Sequence, residues 1–206
     1  MLKIWGRANS INVQKVLWLA DELNLNYERI DAGLQFGVND QPWFSSVNPN
    51  RTIPTIDDNG FILWESNVIV RYLAKRYGTS DFYLADLRQE ALMEQWMDWQ
   101  QTTVMLDLGP LFLNLIRTPE EQQEKALIER TSQQMIRHMA ILNTHLSDRD
   151  YILGSSMTAA DIPPGAAVYR WYALDVEHSD FPALNAWYER LQTPDAYSHH
   201  IMQPLS

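Results

Sequence analysis

The 206-residue chain has no cysteine. Disulfides, thiolate metal centres and cysteine nucleophiles are therefore excluded, and the chain cannot form a mixed disulfide of its own. Basic residues are in deficit, with 16 Lys and Arg against 26 Asp and Glu, for a net charge of −10. Duplex nucleic acid and anionic membranes both select clustered cations, so neither is expected as a partner. No apolar run reaches the roughly 18 residues of a membrane span, and the opening MLKIWGRANS lacks the apolar stretch of a signal peptide. A cytoplasmic protein is expected. No Gly-rich phosphate loop and no Gly-x-Ser-x-Gly elbow occur. His138 and His145 are seven apart and His199-His200 are adjacent, without a His-x-x-x-His or a matched carboxylate cluster. No metal is expected, and the histidines read as surface or interface residues.

What is present is enough apolar residue, 46%, to bury a substantial core, and 8 Trp that can serve a core, a cleft or a subunit interface. The first 78 residues change period about every ten. Leu2 to Trp5 reads as a buried strand. Val13, Val16, Leu17, Ala20 and Leu23 recur at helical spacing. Tyr27 to Asp31 alternates as a strand, and Pro42 to Val47 reads as a short helix. Thr55 to Asp57 and Phe61 to Trp64 flank a turn at Asn59-Gly60, a strong hairpin signal. Glu65 to Tyr77 reads as a helix stopping at Gly78. The order βαβαββα, with a helix between strands 1 and 2, predicts a mixed four-stranded sheet with helices on its faces.

Residues 79–87 read as a polar linker. Beyond it the strand patterns stop, and residues 88–206 are expected to form an all-helical domain. Arg88 to Ile116 is a long helix with a bend or break expected at Gly109-Pro110. Thr118-Pro119-Glu120-Glu121 has the form of a helix start, for a helix running to about His145. Thr158 to Tyr172 and Pro182 to Leu191 complete the set. Thr158 and Asp161 have the spacing of a reciprocal cap. A bend is expected at Pro163, which removes an intrahelical bond.

Three segments can carry chemistry. Ala8-Asn9-Ser10-Ile11-Asn12 lies at the head of the first helix. Its hydroxyl and amide can cap the helix, or stand among free N–H groups where an anion, including a thiolate, is favoured. In Thr52-Ile53-Pro54-Thr55 the proline opens a strand, so it is either an ordinary edge proline or a cis one that turns Ile53's backbone out to pair with an extended ligand. Trp64-Glu65-Ser66-Asn67 opens a helix. Glu65 and Ser66 can cap it, or together with free N–H groups hold an amino-acid zwitterion.

Taken in order, Ser10, Asn-Pro-x-x-Thr-Ile-Pro-Thr, Asp-Asn-Gly-Phe, Leu-Trp-Glu-Ser and Thr158-x-x-Asp161 resemble the glutathione S-transferase superfamily, over nearly the whole chain. The pattern is closest to serine-type theta and delta members and their bacterial relatives. The resemblance implies a thioredoxin-like glutathione domain (1–78) followed by a helical substrate domain (88–206). It implies that Ser10 stabilises the glutathione thiolate, with Asn12 as a second candidate, because Ser-x-Asn is similar to the Thr-x-Asn of bacterial glutathione-dependent disulfide reductases. Glu65 and Ser66 match the γ-glutamyl pair, Ile53 before Pro54 the residue pairing with the cysteinyl unit, and Thr52 its neighbour on the glutathione side. Asn39 and Arg51 stand where delta members often place histidines near the glycyl carboxylate. Trp99, Thr103, Leu106 and Phe112 are candidates for an electrophile pocket between the domains. The implied activity is addition of glutathione to a small hydrophobic electrophile by a homodimer, without metal. The alternatives are a glutathione-dependent disulfide or peroxide reductase, or a weakly catalytic ligand- or protein-binding member.

Overall fold

A computed structural model describes residues 1–79, 82–84 and 86–206. Strand β1 (Leu2–Trp5) runs at the centre of the sheet, parallel to β2 (Tyr27–Ile30) through helix α1 (Ile11–Glu22). On its other side β1 pairs antiparallel with β3 (Thr55–Asp58), Ile4 opposite Ile56. Strand β4 (Phe61–Trp64) completes the order β2-β1-β3-β4. Asn59 and Gly60 turn the β3–β4 hairpin at φ 54° and 93°, as the Asn-Gly pair requires. Alternate side chains leave opposite faces of β1. Leu2 and Ile4 meet α1 and α3 (Ser66–Tyr77), while Trp5 meets Ala32 and Phe44 of α2 (Phe44–Val47) on the other face.

Helix α1 departs from the one-sided pattern of its apolar spacing. Residues Val13 to Ala20 are buried all round, Gln14 and Lys15 included. The sheet covers one side and the helical domain the other. Trp18 packs edge-on against Tyr197 at 4.8 Å.

The expected linker, 79–87, has residues 80, 81 and 85 outside the described set. Helix α4 (Leu87–Trp99) starts one residue early, because Asp86 Oδ1 accepts the N–H groups of Arg88 and Gln89, each at 3.1 Å. The break expected at Gly109-Pro110 is not there. Both residues lie within α5 (Met105–Phe112), and two wide π-type turns, Gln100–Val104 and Leu113–Arg117, flank it. Such turns take up the bond and the space a proline removes. The Thr118-Pro119 start also shifts. Thr118 Oγ1 donates to Leu113 O at 3.0 Å, closing the preceding helical end, and α6 (Lys125–His145) begins only after a 3₁₀ turn at Glu120–Gln122. The Thr158–Asp161 capping box is present. It precedes α7 (Ile162–Tyr172), so Pro163 falls in a first turn, where no intrahelical bond is lost and no bend is needed. Helix α8 (Pro182–Leu191) has the expected bounds, and α9 (Asp195–His200) is an additional helix.

Candidate active site

The loop from β1 to α1 folds tightly onto the helix. A Cβ on Gly6 would stand 2.4 Å from Val13 Cγ2, so only glycine fits this approach. The loop delivers Ser10 to the N-cap position of α1, where its carbonyl accepts Gln14 N–H at 2.8 Å. Its hydroxyl makes no cap hydrogen bond. Asn12 does not cap either: its Oδ1 accepts the Ser66 hydroxyl at 3.2 Å. The capping outcome for this segment is therefore not what the fold uses. A nearly buried hydroxyl is left uncommitted beside the positive end of α1.

Ser66 comes to Asn12 because α3 starts at an unusual backbone angle. Glu65 has φ 71° and ψ 110°, outside the region non-glycine residues favour, at a typical cost of about 1–3 kcal/mol. Neither Glu65 nor any other side chain caps α3. The Ile53-Pro54 peptide bond is cis. The loop before it hangs on Asn48, fully buried, whose Nδ2 donates to Thr52 O at 3.0 Å and Thr55 Oγ1 at 3.0 Å. Asn39 and Arg51 meet directly, Asn39 Nδ2 donating to Arg51 O at 2.9 Å, while Arg51 Nη2 donates to Ser45 Oγ at 3.1 Å. The structure thus joins Asn12, two residues after Ser10, to Ser66, and separately joins Asn39 to Arg51, the neighbour of Thr52.

The four pocket candidates lie along the helical run from α4 through the first wide turn to α5. The Trp99 ring stacks edge-on with Trp96 of α4 at 5.1 Å and faces His138 of α6 at 6.3 Å. Thr103 is half-buried in the first wide turn, and Leu106 is 70% exposed. Phe112 is buried and lies under Arg170, whose Nη2 reaches Asn9 O at 3.4 Å, beside Ser10.

Lys15 escaped notice in the sequence. It lies one turn along α1, fully buried, with Nζ donating to Asn67 Oδ1 at 2.9 Å, Gln101 Oε1 at 3.4 Å and Gln100 Oε1 at 3.5 Å. Asn67 Nδ2 in turn donates to Met97 O at 2.7 Å. Burial pulls the Lys15 ammonium down to about 7, and the charge of Glu65 opposes that fall. The available signal was the unbroken apolar flank, Val16 to Ala20, beside a lone lysine.

His138 is not a surface residue. It is buried, with Nε2 2.9 Å from Asp107 Oδ2. His145 Nε2 meets Ile152 O at 2.7 Å, and His200 Nε2 meets Asp21 Oδ2 at 2.6 Å. Among the described residues no group of three or more His, Asp or Glu is placed to hold a metal ion.

A hydroxyl at one helix end and a second helix end close by can together hold a small anionic ligand. Residues 1–75 match the family model of the glutathione S-transferase N-terminal domain, and residues 125–190 that of the C-terminal domain. Glutathione S-transferase GstB of Escherichia coli K12 is 35% identical over 208 residues, covering all of both chains. The chain belongs to the glutathione S-transferase superfamily. Among solved glutathione S-transferases, the theta-class protein of Xanthomonas axonopodis pv. citri, with glutathione bound, is 38% identical. It superposes with a TM-score of 0.95 over 100% of this chain and 99% of that one. The glutathione transferase BmGSTD1 of Bombyx mori is 28% identical with a TM-score of 0.87, over 97% and 92% of the two chains. Ser10, Ile53, Glu65 and Ser66 all fall within the part that matches the transferase N-terminal domain.

Proposed function

We propose that this protein is a glutathione transferase in which Ser10 holds the glutathione sulfur as a thiolate. The observation that carries this reading is the Ser10 hydroxyl, uncommitted at the head of α1 and two residues before Asn12, which binds Ser66. On binding, the thiol proton leaves to solvent. The hydroxyl and the helix end stabilise the resulting anion. The sulfur then forms a bond to an electrophilic carbon, and the leaving group departs with its electron pair. Glu65 accepts from the γ-glutamyl ammonium, Ser66 and the α3 N-terminus hold its carboxylate, Thr52 and Ile53 pair with the peptide backbone, and Asn39 with Arg51 receives the glycyl end. No metal takes part. The working unit is a homodimer in a reducing, cytoplasmic compartment, where a cysteine-free chain and reduced glutathione coexist.

Asn12 supports a second reading. Its Oδ1 is engaged by Ser66, while its Nδ2 has no hydrogen bond among the described residues and can donate to the same sulfur. In that reading the protein reduces a disulfide: two glutathione thiols become one disulfide, and the substrate disulfide becomes two thiols. Consumption of two glutathiones per turnover with no conjugate formed distinguishes it.

Calorimetric titration with glutathione, on the wild type and Ser66→Ala, tests the site. Saturable binding, weakened about tenfold by loss of one hydrogen bond to a charged group, is expected. No binding at millimolar glutathione would overturn the reading.

A further inference from the structure

Arg117 and Arg170 share the Phe112 ring beside the Ser10 loop, and Arg7 of that loop feels the charge of Arg117. Arg7 lies between β1 and α1, Arg117 ends the wide turn after α5, and Arg170 stands on α7. The Arg170 guanidinium lies 4.2 Å from the centre of the Phe112 ring, and that of Arg117 lies 5.1 Å from the same ring. Phe112 is therefore a shared platform for two cations. Arg170 is buried, and its one hydrogen bond among the described residues is the long one to Asn9 O. Arg7 Nε is buried without a partner. Arg117 Nη2 donates to the backbone oxygen of Ser206 at 2.7 Å, and Asn9 Nδ2 donates to Ser206 Oγ at 2.7 Å.

Acids outnumber bases 26 to 16 in this chain. Yet among the described residues no carboxylate side chain pairs with any of these three arginines. Burial, then the charges of Arg117 and Arg7, hold Arg170 down at about 10. Burial, then Arg117, lowers Arg7 as well. Buried cations are ordinarily paired. Arg170 lies instead among like charges, over the Phe112 ring and against the carbonyl of the residue preceding Ser10.

We propose that Arg7, Arg117 and Arg170 form a carboxylate subsite for the second substrate, so that the electrophile is an anionic compound. The proposal rests on the transferase reading and narrows its substrate class. A guanidinium fork matches a carboxylate in shape as well as charge. An anion bound here lies beside the Ser10 loop, on the helical-domain side of the glutathione site.

The test uses 3-nitrobenzoate and 3-nitrobenzamide, alike in size and different in charge, titrated into the full chain with and without saturating S-methylglutathione. The benzoate is expected to bind at least tenfold more tightly than the amide, and the preference should shrink with added salt. Arg117 is exposed, so Arg117→Gln should fold. That variant and Arg7→Gln should each cut benzoate affinity about tenfold and leave S-methylglutathione affinity within twofold. Equal affinity for the two probes, or a preference that survives in both variants, would overturn the subsite. So would displacement of the benzoate by S-methylglutathione, which would assign the arginines to glutathione. If S-methylglutathione itself fails to bind, the transferase reading fails, and the titration of the free protein still decides whether the anion site exists.

Discussion

Ser10 and Lys15 lie five residues apart at the start of α1, and each is best understood by what its polar atom lacks or costs. Ser10 Oγ has no partner in the helix it heads. Replacing it with alanine removes a donor that matters only once the thiol has ionised. Ser10→Ala is expected to lower kcat by about 10–100-fold, the worth of a hydrogen bond to a charged group, and to change glutathione Kd less than threefold. Single-turnover conjugation and calorimetry measure the two. Unchanged turnover would move the role to Asn12. Lys15 makes a prediction about pH. An unfolded lysine keeps its proton to about pH 10.4, whereas in the fold it gives it up near 7. Below pH 7 the cost of burying the charge is fully present. Between pH 7 and 10 the unfolded chain binds the extra proton, so this residue's contribution to stability rises with pH, at about 1.4 kcal/mol per unit. Urea unfolding of wild type and Lys15→Met from pH 6 to 9.5 should show the difference between them flat up to pH 7, then moving in the wild type's favour. A difference that stays flat throughout would mean the ammonium remains charged in the fold.

At the scale of elements, the capping box before α7 does more than start a helix. Asp161 is fully buried, and its two oxygens accept from Thr158 N at 2.9 Å, Ile152 N at 3.0 Å and Trp187 Nε1 at 2.9 Å. It fastens the 3₁₀ turn, the Tyr151–Gly154 loop and α8 to one point. Asp161→Ala leaves four donors without this acceptor, the Thr158 hydroxyl at 3.3 Å among them, and a loss of about 3–5 kcal/mol in urea unfolding is expected. A loss under about 1 kcal/mol would reduce the residue to an ordinary cap. This box was legible from sequence because it is local: two residues at fixed spacing specify it. The same holds for the Asn59-Gly60 hairpin, for α8 and for the order of the sheet, where period and turn chemistry agree. Boundaries failed where a distant or competing partner decides. Thr118 has the chemistry of a cap, but its hydroxyl is claimed by Leu113 O. Gly109-Pro110 has the chemistry of a break, but the wide turns beside it absorb the strain. Lys15 was unreadable as a site residue because its role depends on partners brought by tertiary packing, among them Asn67 and Gln100. Ser10, Ile53, Glu65 and Ser66 could be named because they lie on short motifs whose order was recognisable. The arginine cluster could not, since its members lie 110 and 53 residues apart in the chain.

For the whole molecule, two surfaces remain to be explained, one outside and one inside. On the outside, Phe61 of β4, Val68 of α3 and Leu92 of α4 each stay more than two-fifths exposed. The three elements adjoin: β4 is the edge strand and leads directly into α3, while Arg71 and Lys75 of α3 form ion pairs with Glu94, Asp98 and Glu90 of α4. Apolar side chains spread over three adjacent elements suit a two-fold interface. Light scattering is expected to give twice the 24.0 kDa of one chain, and Val68→Glu should shift the population toward single chains. A monomeric wild type at micromolar concentration would sink this expectation.

On the inside, α1 belongs to both halves of the molecule. Lys15 reaches Gln100, Trp18 meets Tyr197, and Gly165 leaves room for Trp18, whose ring carbons lie 3.0 and 3.1 Å from where a Cβ would stand. Recombination between relatives has to respect this seam. A chimera joining the first 78 residues to a foreign helical half inherits a lysine and a tryptophan shaped for neighbours it no longer has. Exchange of the two halves is expected to succeed only when the residues at positions 100, 165 and 197 travel with the first helix.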